Sequence, residues 1–132
     1  MKAVLRNWVT HLRLHYQLLL APIFLWGYLL AASHTPTAIG ATFWLAFLAF
    51  HLFLYGGTTA FNSYYDRDEG PVGGLAQPPL PVATLLPFSL GMQALGALLA
   101  TFVNRPFLLI YLMIFVLGAA YSHPRTRWKG RP

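Results

Sequence analysis

The stretch GATFWLAFLAFHLFLYGGTTAFNSYYDRDEG, residues 40–70, decides how this chain folds. Its apolar part, 40–65, is continuous instead of alternating, so it reads as a helix and not a half-solvated strand. It also exceeds the ~20 residues that cross ~30 Å of hydrocarbon. The run ends in all three acidic side chains of the chain, Asp66, Asp68 and Glu69, within four consecutive residues. Carboxylates at the edge of a membrane are costly unless they are solvated, paired or holding a cation. An oxygen-only cluster suits Mg²⁺, which keeps several waters and shares its remaining positions with phosphates. This cluster is the expected seat of function.

Three more apolar segments lie outward from it, over residues 16–32, 82–103 and 106–121. The expected fold is an all-α, polytopic transmembrane helical bundle of about four spans, one domain over residues 1–132. Open sheet edges cannot be satisfied in lipid, which argues against strands. Ser33-His34-Thr35-Pro36-Thr37, Gly70-Pro71-Val72-Gly73-Gly74, Pro78-Pro79-Leu80-Pro81 and Asn104-Arg105-Pro106 punctuate the segments. A cleaved signal peptide is the alternative reading of the first segment. Its long charged leader and the spans that follow favour a retained helix.

Composition agrees: of 132 residues 57% are hydrophobic, 16% aromatic and only 9% charged, with mean hydropathy +0.54. The net charge of +6 would suit nucleic acid, but most of the nine Lys and Arg residues lie in the terminal segments that flank apolar stretches. That distribution fits an anionic leaflet instead, with no nucleic acid partner. Without cysteine, disulfides and thiolate metal sites are excluded. The five histidines show no metal-ligand spacing. Lys2, Arg6 and Arg13 precede the first span, and Arg125, Arg127, Lys129 and Arg131 follow the last, whereas the first loop carries no Lys or Arg. The positive-inside rule therefore places both termini and the acidic loop in the cytoplasm.

If the second helix continues past Tyr65, Asn62, Asp66 and Glu69 share one face and Asp68 points away. Gly70 before Pro71 marks its expected end. An ordinary solvated loop, neutralised by Arg67, remains the plain alternative. The tail from Tyr121 to Pro132 holds four cations in seven residues, which alone would be a membrane anchor. On the same side as carboxylates, such cations suit a diphosphate bridged by Mg²⁺.

Asn62-x-x-x-Asp66, followed by Tyr121-Ser122-x-Pro124-x-x-Arg127-x-Lys129-x-x-Pro132, resembles the first half of UbiA-type membrane prenyltransferases. The resemblance covers essentially the whole chain. It implies a Mg²⁺-dependent enzyme of a bacterial-type inner membrane. Such an enzyme moves a prenyl group from a prenyl diphosphate to a lipophilic or aromatic acceptor. Asn62 and Asp66 would be catalytic, Asn62, Asp66, Asp68 and Glu69 would hold metal, and Arg127, Lys129 and Tyr121 would hold diphosphate. Two departures stand out. Ser63 and Gly70 replace aspartates of the usual first motif, with Asp68 or Glu69 as substitutes and helical geometry favouring Glu69. The family's second aspartate-rich motif would lie beyond Pro132, so this chain reads as a first half that needs a C-terminal half or a second copy. A non-catalytic small membrane subunit or degenerate remnant is the alternative. Tyr64, Tyr65 and Tyr121 suit either cation–π contact or an interfacial aromatic belt. His51, inside a span, is a site candidate by position, although a hydrogen bond to a neighbouring helix explains it equally. Gly56-Gly57, Gly91, Gly96 and Gly118 read as helix-packing positions.

Overall fold

A computed structural model describes residues 1–32, 39–126 and 128–130. Helix α1 (Lys2–Leu12) leads into α2 (Leu14–Ala32). Helix α3 (Ala41–Leu48), a π-helical segment (Ala49–Tyr55) and α4 (Gly56–Asp66) run as one rod. Helices α5 (Leu85–Thr101) and α6 (Arg105–Ser122) complete the bundle, before a short 3₁₀ turn at Trp128–Gly130. Among the described residues the only extended pairing is an isolated bridge between Val72 and Leu75. The expected all-α membrane fold holds.

Three helical stretches are long and apolar enough to cross a membrane: Lys2–Ala31, Ala41–Asp66 and Arg105–Ser122. The apolar segment expected over 82–103 forms the shorter helix α5, of 17 residues, or ~26 Å at ~1.5 Å per residue. Its start is delayed because Leu85 N donates to Val82 O at 2.9 Å, closing a turn before the helix begins. Pro87 then falls in the first helical turn, where a missing N–H leaves no bond unmade. Helix α6 starts sharply: Asn104 Oδ1 accepts from Phe107 N at 2.8 Å, with Pro106 in the first turn.

The rod Ala41–Asp66 is the centre of the bundle, against which α1, α5 and α6 pack. One core cluster joins Ala49 and Leu54 to Ala100 and Tyr111. Buried Tyr111 donates its hydroxyl to Gln93 O at 2.8 Å. Gly96 permits this approach, because a Cβ there would collide with the Tyr111 hydroxyl and with Phe53. Gly91 faces open space and packs against nothing. A second cluster, Leu12, Ala60 and Leu85, fixes α1 at the other end of the rod. Helix α1 is also tied to the segment before α5 and to α5 itself. Asn7 Nδ2 donates to Leu80 O at 2.8 Å, and Trp8 stacks on Phe88 at 4.7 Å. Its inward face carries polar Asn7 and His11, while Leu5 and Val9 are exposed. An apolar outer stripe of this kind suits a lipid boundary.

Candidate functional site

Helix α4 stops at Asp66, three residues short of Glu69. Arg67 takes the left-handed conformation (φ 50°) and its N–H donates to Ser63 O at 3.1 Å, closing the helix. The expected common face of Asn62, Asp66 and Glu69 is therefore corrected: Asn62 and Asp66 share the last turn, and Glu69 lies exposed on the loop beyond it. Asp68 is the loop carboxylate that turns inward, to 3.8 Å from Arg13.

Arg13 comes from the break between α1 and α2, where it too adopts φ 50°. It is buried, and its Nη2 donates to Ser63 Oγ at 2.8 Å. The loop after α4 covers this arginine. Gly73 (φ 51°) lies so close that a Cβ would sit 2.5 Å from Arg13 Nη1, and Gly74 (φ 81°) presses equally on His15. Only glycine fits such a close approach at positive φ. Ser63, which stands where the resembled motif has an aspartate, is thus a hydrogen-bond acceptor for a buried cation whose charge is met by Asp68.

The end of α6 completes the site. His123 N donates to Ala119 O at 2.8 Å and Thr126 Oγ1 to Ala120 O at 2.6 Å, so the tail folds back on the helix. Ser122, fully inward, donates its hydroxyl to Asn62 Oδ1 at 2.6 Å. The His123 ring meets Tyr65 edge-on at 5.4 Å. The Trp128–Gly130 turn then brings Lys129 Nζ into an ion pair with Asp66 Oδ1. Partial burial lowers the Lys129 pKa from its ordinary value, and the facing carboxylate favours the charged form against that pull.

Asn62, Asp66 and Lys129 therefore stand together, and Asp68 stands on Arg13, which also bonds Ser63. Tyr121 is half exposed, and its neighbour Ser122 makes the inward contact. Arg127 lies outside the described residues. Arg13, Ser63, Ser122 and His123 were not assigned from sequence. In sequence Arg13 is one more leader charge, and the placement of Ser122 depends on the rotation of α6.

Among the described residues no group of three or more His, Cys, Asp or Glu side chains is gathered tightly enough to hold a metal alone. The donors nevertheless suit a hard cation in a shared site. They are an amide oxygen and a carboxylate one turn apart, the carboxylate paired with an ammonium, and Asp68 Oδ2, buried and accepting no hydrogen bond although Arg13 Nη2 stands 3.8 Å away. Mg²⁺ uses one or two carboxylates and completes its shell with water and phosphate.

A helical membrane protein with a mixed-charge polar site at one end of its bundle is the class these features define. A sequence profile of the UbiA prenyltransferase family matches residues 20–132. The chain belongs to that family. No curated protein matches it, and no solved structure does.

Proposed function

We propose that this chain acts in Mg²⁺-dependent transfer of a prenyl group from a prenyl diphosphate to a lipophilic or aromatic acceptor. The observation that carries the reading is the convergence of the acidic and basic motifs. Ser122 bonds Asn62 at 2.6 Å, and Lys129 pairs with Asp66. Asn62 and Asp66 would hold the metal, with Asp68 and Glu69 as oxygen donors on the adjoining loop. Mg²⁺, when bound, would neutralise charge that grows on the leaving diphosphate. Lys129 would exchange the Asp66 carboxylate for a phosphate oxygen, joined by Arg127 and Tyr121. Ser122 would keep the Asn62 amide turned with its oxygen inward. The apolar aromatic helices would keep water from the allylic cation left behind. The site faces the cytoplasm in this reading, and a second aspartate-rich element, from a further half or a second copy, would supply the remaining metal ligands.

The competing reading, a non-catalytic membrane subunit, draws on the same two pairs. Asp66–Lys129 and Asp68–Arg13 leave each carboxylate neutralised without a ligand. A binding assay separates them. Purified protein in detergent is titrated with geranylgeranyl diphosphate, with and without Mg²⁺. Binding that requires Mg²⁺ and is lost in Asp66→Asn supports the transferase reading. Absence of binding in both conditions favours the subunit.

A further inference from the structure

Helix α1 is not needed for the first membrane crossing. The 19 residues of α2 already extend ~28 Å at ~1.5 Å per residue, close to the ~30 Å of hydrocarbon. The left-handed Arg13 breaks the path between the two helices, and α1 packs on α4 through Leu12 and Ala60. Its buried face carries Asn7, His11 and Leu12. The rest of its circumference, taken at ~100° per residue, falls into three parallel bands. Leu5 and Val9 form an apolar band, 56% and 46% exposed. Exposed Lys2 and Arg6, one turn apart, form a cationic band beside it. A polar groove of about 400 Å³ comes next, lined by Ala3, Arg6, Asn7 and Thr10 of α1 and by Gln77 and Pro79 of the segment before α5. Apolar, cationic and polar bands in that order match the acyl, phosphate and head-group levels of one leaflet. The groove is held in shape from within the protein. Asn7 Nδ2 donates to Leu80 O at 2.8 Å, Val82 N donates to Asn7 Oδ1 at 3.4 Å, and Trp8 Nε1 donates to Thr84 Oγ1 at 3.2 Å. Among the described residues the two ion pairs engage Arg13 and Lys129, and neither Lys2 nor Arg6 takes part. No Asp or Glu lines the groove.

We propose that α1 binds an anionic phospholipid, with its phosphate on Arg6 and Lys2, an acyl chain along Leu5 and Val9, and its head group in the groove. Charge selects the lipid. Arg6 offers a planar fork of donors to phosphate oxygens, and Lys2 adds a compact point charge. The choline of a zwitterionic lipid would bring a second cation against Arg6, whereas a glycerol head group brings hydroxyls. Gln77 can donate to or accept from such hydroxyls. The Thr10 oxygen, whose own proton goes to Arg6 O at 2.8 Å, can still accept. Phosphatidylglycerol therefore suits all three bands. The site shares no residue with Asn62, Asp66 or Lys129 and does not rest on the diphosphate reading.

The test uses the full chain in detergent, without Mg²⁺ or diphosphate, titrated with dioleoylphosphatidylglycerol or dioleoylphosphatidylcholine. Native mass spectrometry counts the bound lipids. The first phosphatidylglycerol should bind about fivefold more tightly than phosphatidylcholine, the factor given by ~1 kcal/mol for a basic side chain at an anionic surface. Glycerophosphoglycerol, the same head group without chains, should not bind over that range. Arg6→Gln should weaken the first phosphatidylglycerol about fivefold. Arg125→Gln removes the same charge from the exposed tail and should change it by less than about twofold. Ala3→Leu narrows the groove at an exposed helical position without altering charge, and should weaken binding as well. All three are surface changes, and their thermal melts should match that of the parent. Equal affinity for the two lipids overturns the proposal. So does a loss in Arg125→Gln as large as in Arg6→Gln, which marks diffuse attraction, or binding that Ala3→Leu leaves unchanged. Glycerophosphoglycerol binding as tightly as the lipid also overturns it, and marks a soluble phosphate ligand instead.

Discussion

Lys129→Met should cost the folded protein about 1–3 kcal/mol, and adding Asp66→Asn should recover most of that loss. The two side chains are 17% and 16% exposed and make a direct ion pair. Unit charges ~4 Å apart attract by ~4 kcal/mol at an effective dielectric of ~20. Partial desolvation of both groups and the ordering of a long lysine side chain offset much of this. The net coupling left is ~1–2 kcal/mol. The single lysine variant loses more than the coupling, because it leaves a half-buried carboxylate without a cation. The double variant carries two neutral groups and no stranded charge. Four proteins (the parent, both single variants and the double) would be unfolded at equilibrium in detergent micelles, with the tryptophan fluorescence as reporter. Trp128 adjoins the pair in sequence and should respond early. Additivity of the two single effects within ~0.5 kcal/mol would show that the groups do not interact and would refute the reasoning.

Other outcomes follow from geometry already given. Gly96→Ala should destabilise by about 1–3 kcal/mol through collision with Tyr111 and Phe53. Gly91→Ala, facing open space, should be neutral or stabilise by up to ~1 kcal/mol, and thermal melts of the two variants compare them directly. Tyr111→Phe removes the bond to Gln93 O and should cost about 1 kcal/mol in the same melts. In calorimetry, Asp66→Asn should weaken Mg²⁺-dependent prenyl diphosphate binding by at least ~10-fold, the equivalent of ~1.4 kcal/mol. Asp68→Asn should weaken that binding less than Asp66→Asn does, and should also lower stability by loosening Arg13. Mg²⁺ alone should bind more weakly than Mg²⁺ with diphosphate, and equal affinities would argue against a shared site.

Hydropathy made the helical class legible, because continuous apolar runs in a chain with three acidic residues admit few other folds. The limits of α4 were not legible. Arg67 adopts a left-handed conformation that favours glycine and asparagine, and nothing in its type announces it. That one cap moved Glu69 off the helix and left Asp68 as the inward carboxylate. The π-helical turn was equally silent, since AFHLFLY is apolar on every side but for His51 and carries no periodicity to disturb. The two motifs were visible, with their order and shared side, and the Asp66–Lys129 pair fits them. Which α6 residue turns inward, Ser122 and not Tyr121, depends on helix rotation that packing decides. Arg13 looked like one more positive-inside charge, because its burial depends on a loop that follows it by some sixty positions.

The pairing of Asp66 with Lys129 also has an order in time. The carboxylate is synthesised well before the lysine, and at roughly 5–20 residues per second the gap is ~3–13 s. During that interval the rod can enter the bilayer, while the end of α4 stays hydrated and its aspartate is a free anion at the membrane surface. A charge in that state resists being drawn into hydrocarbon. Only when Lys129 emerges and the tail folds back does the carboxylate meet its cation. The ion pair is therefore a late contact, and the end of α4 keeps its uncompensated carboxylate until the tail is made.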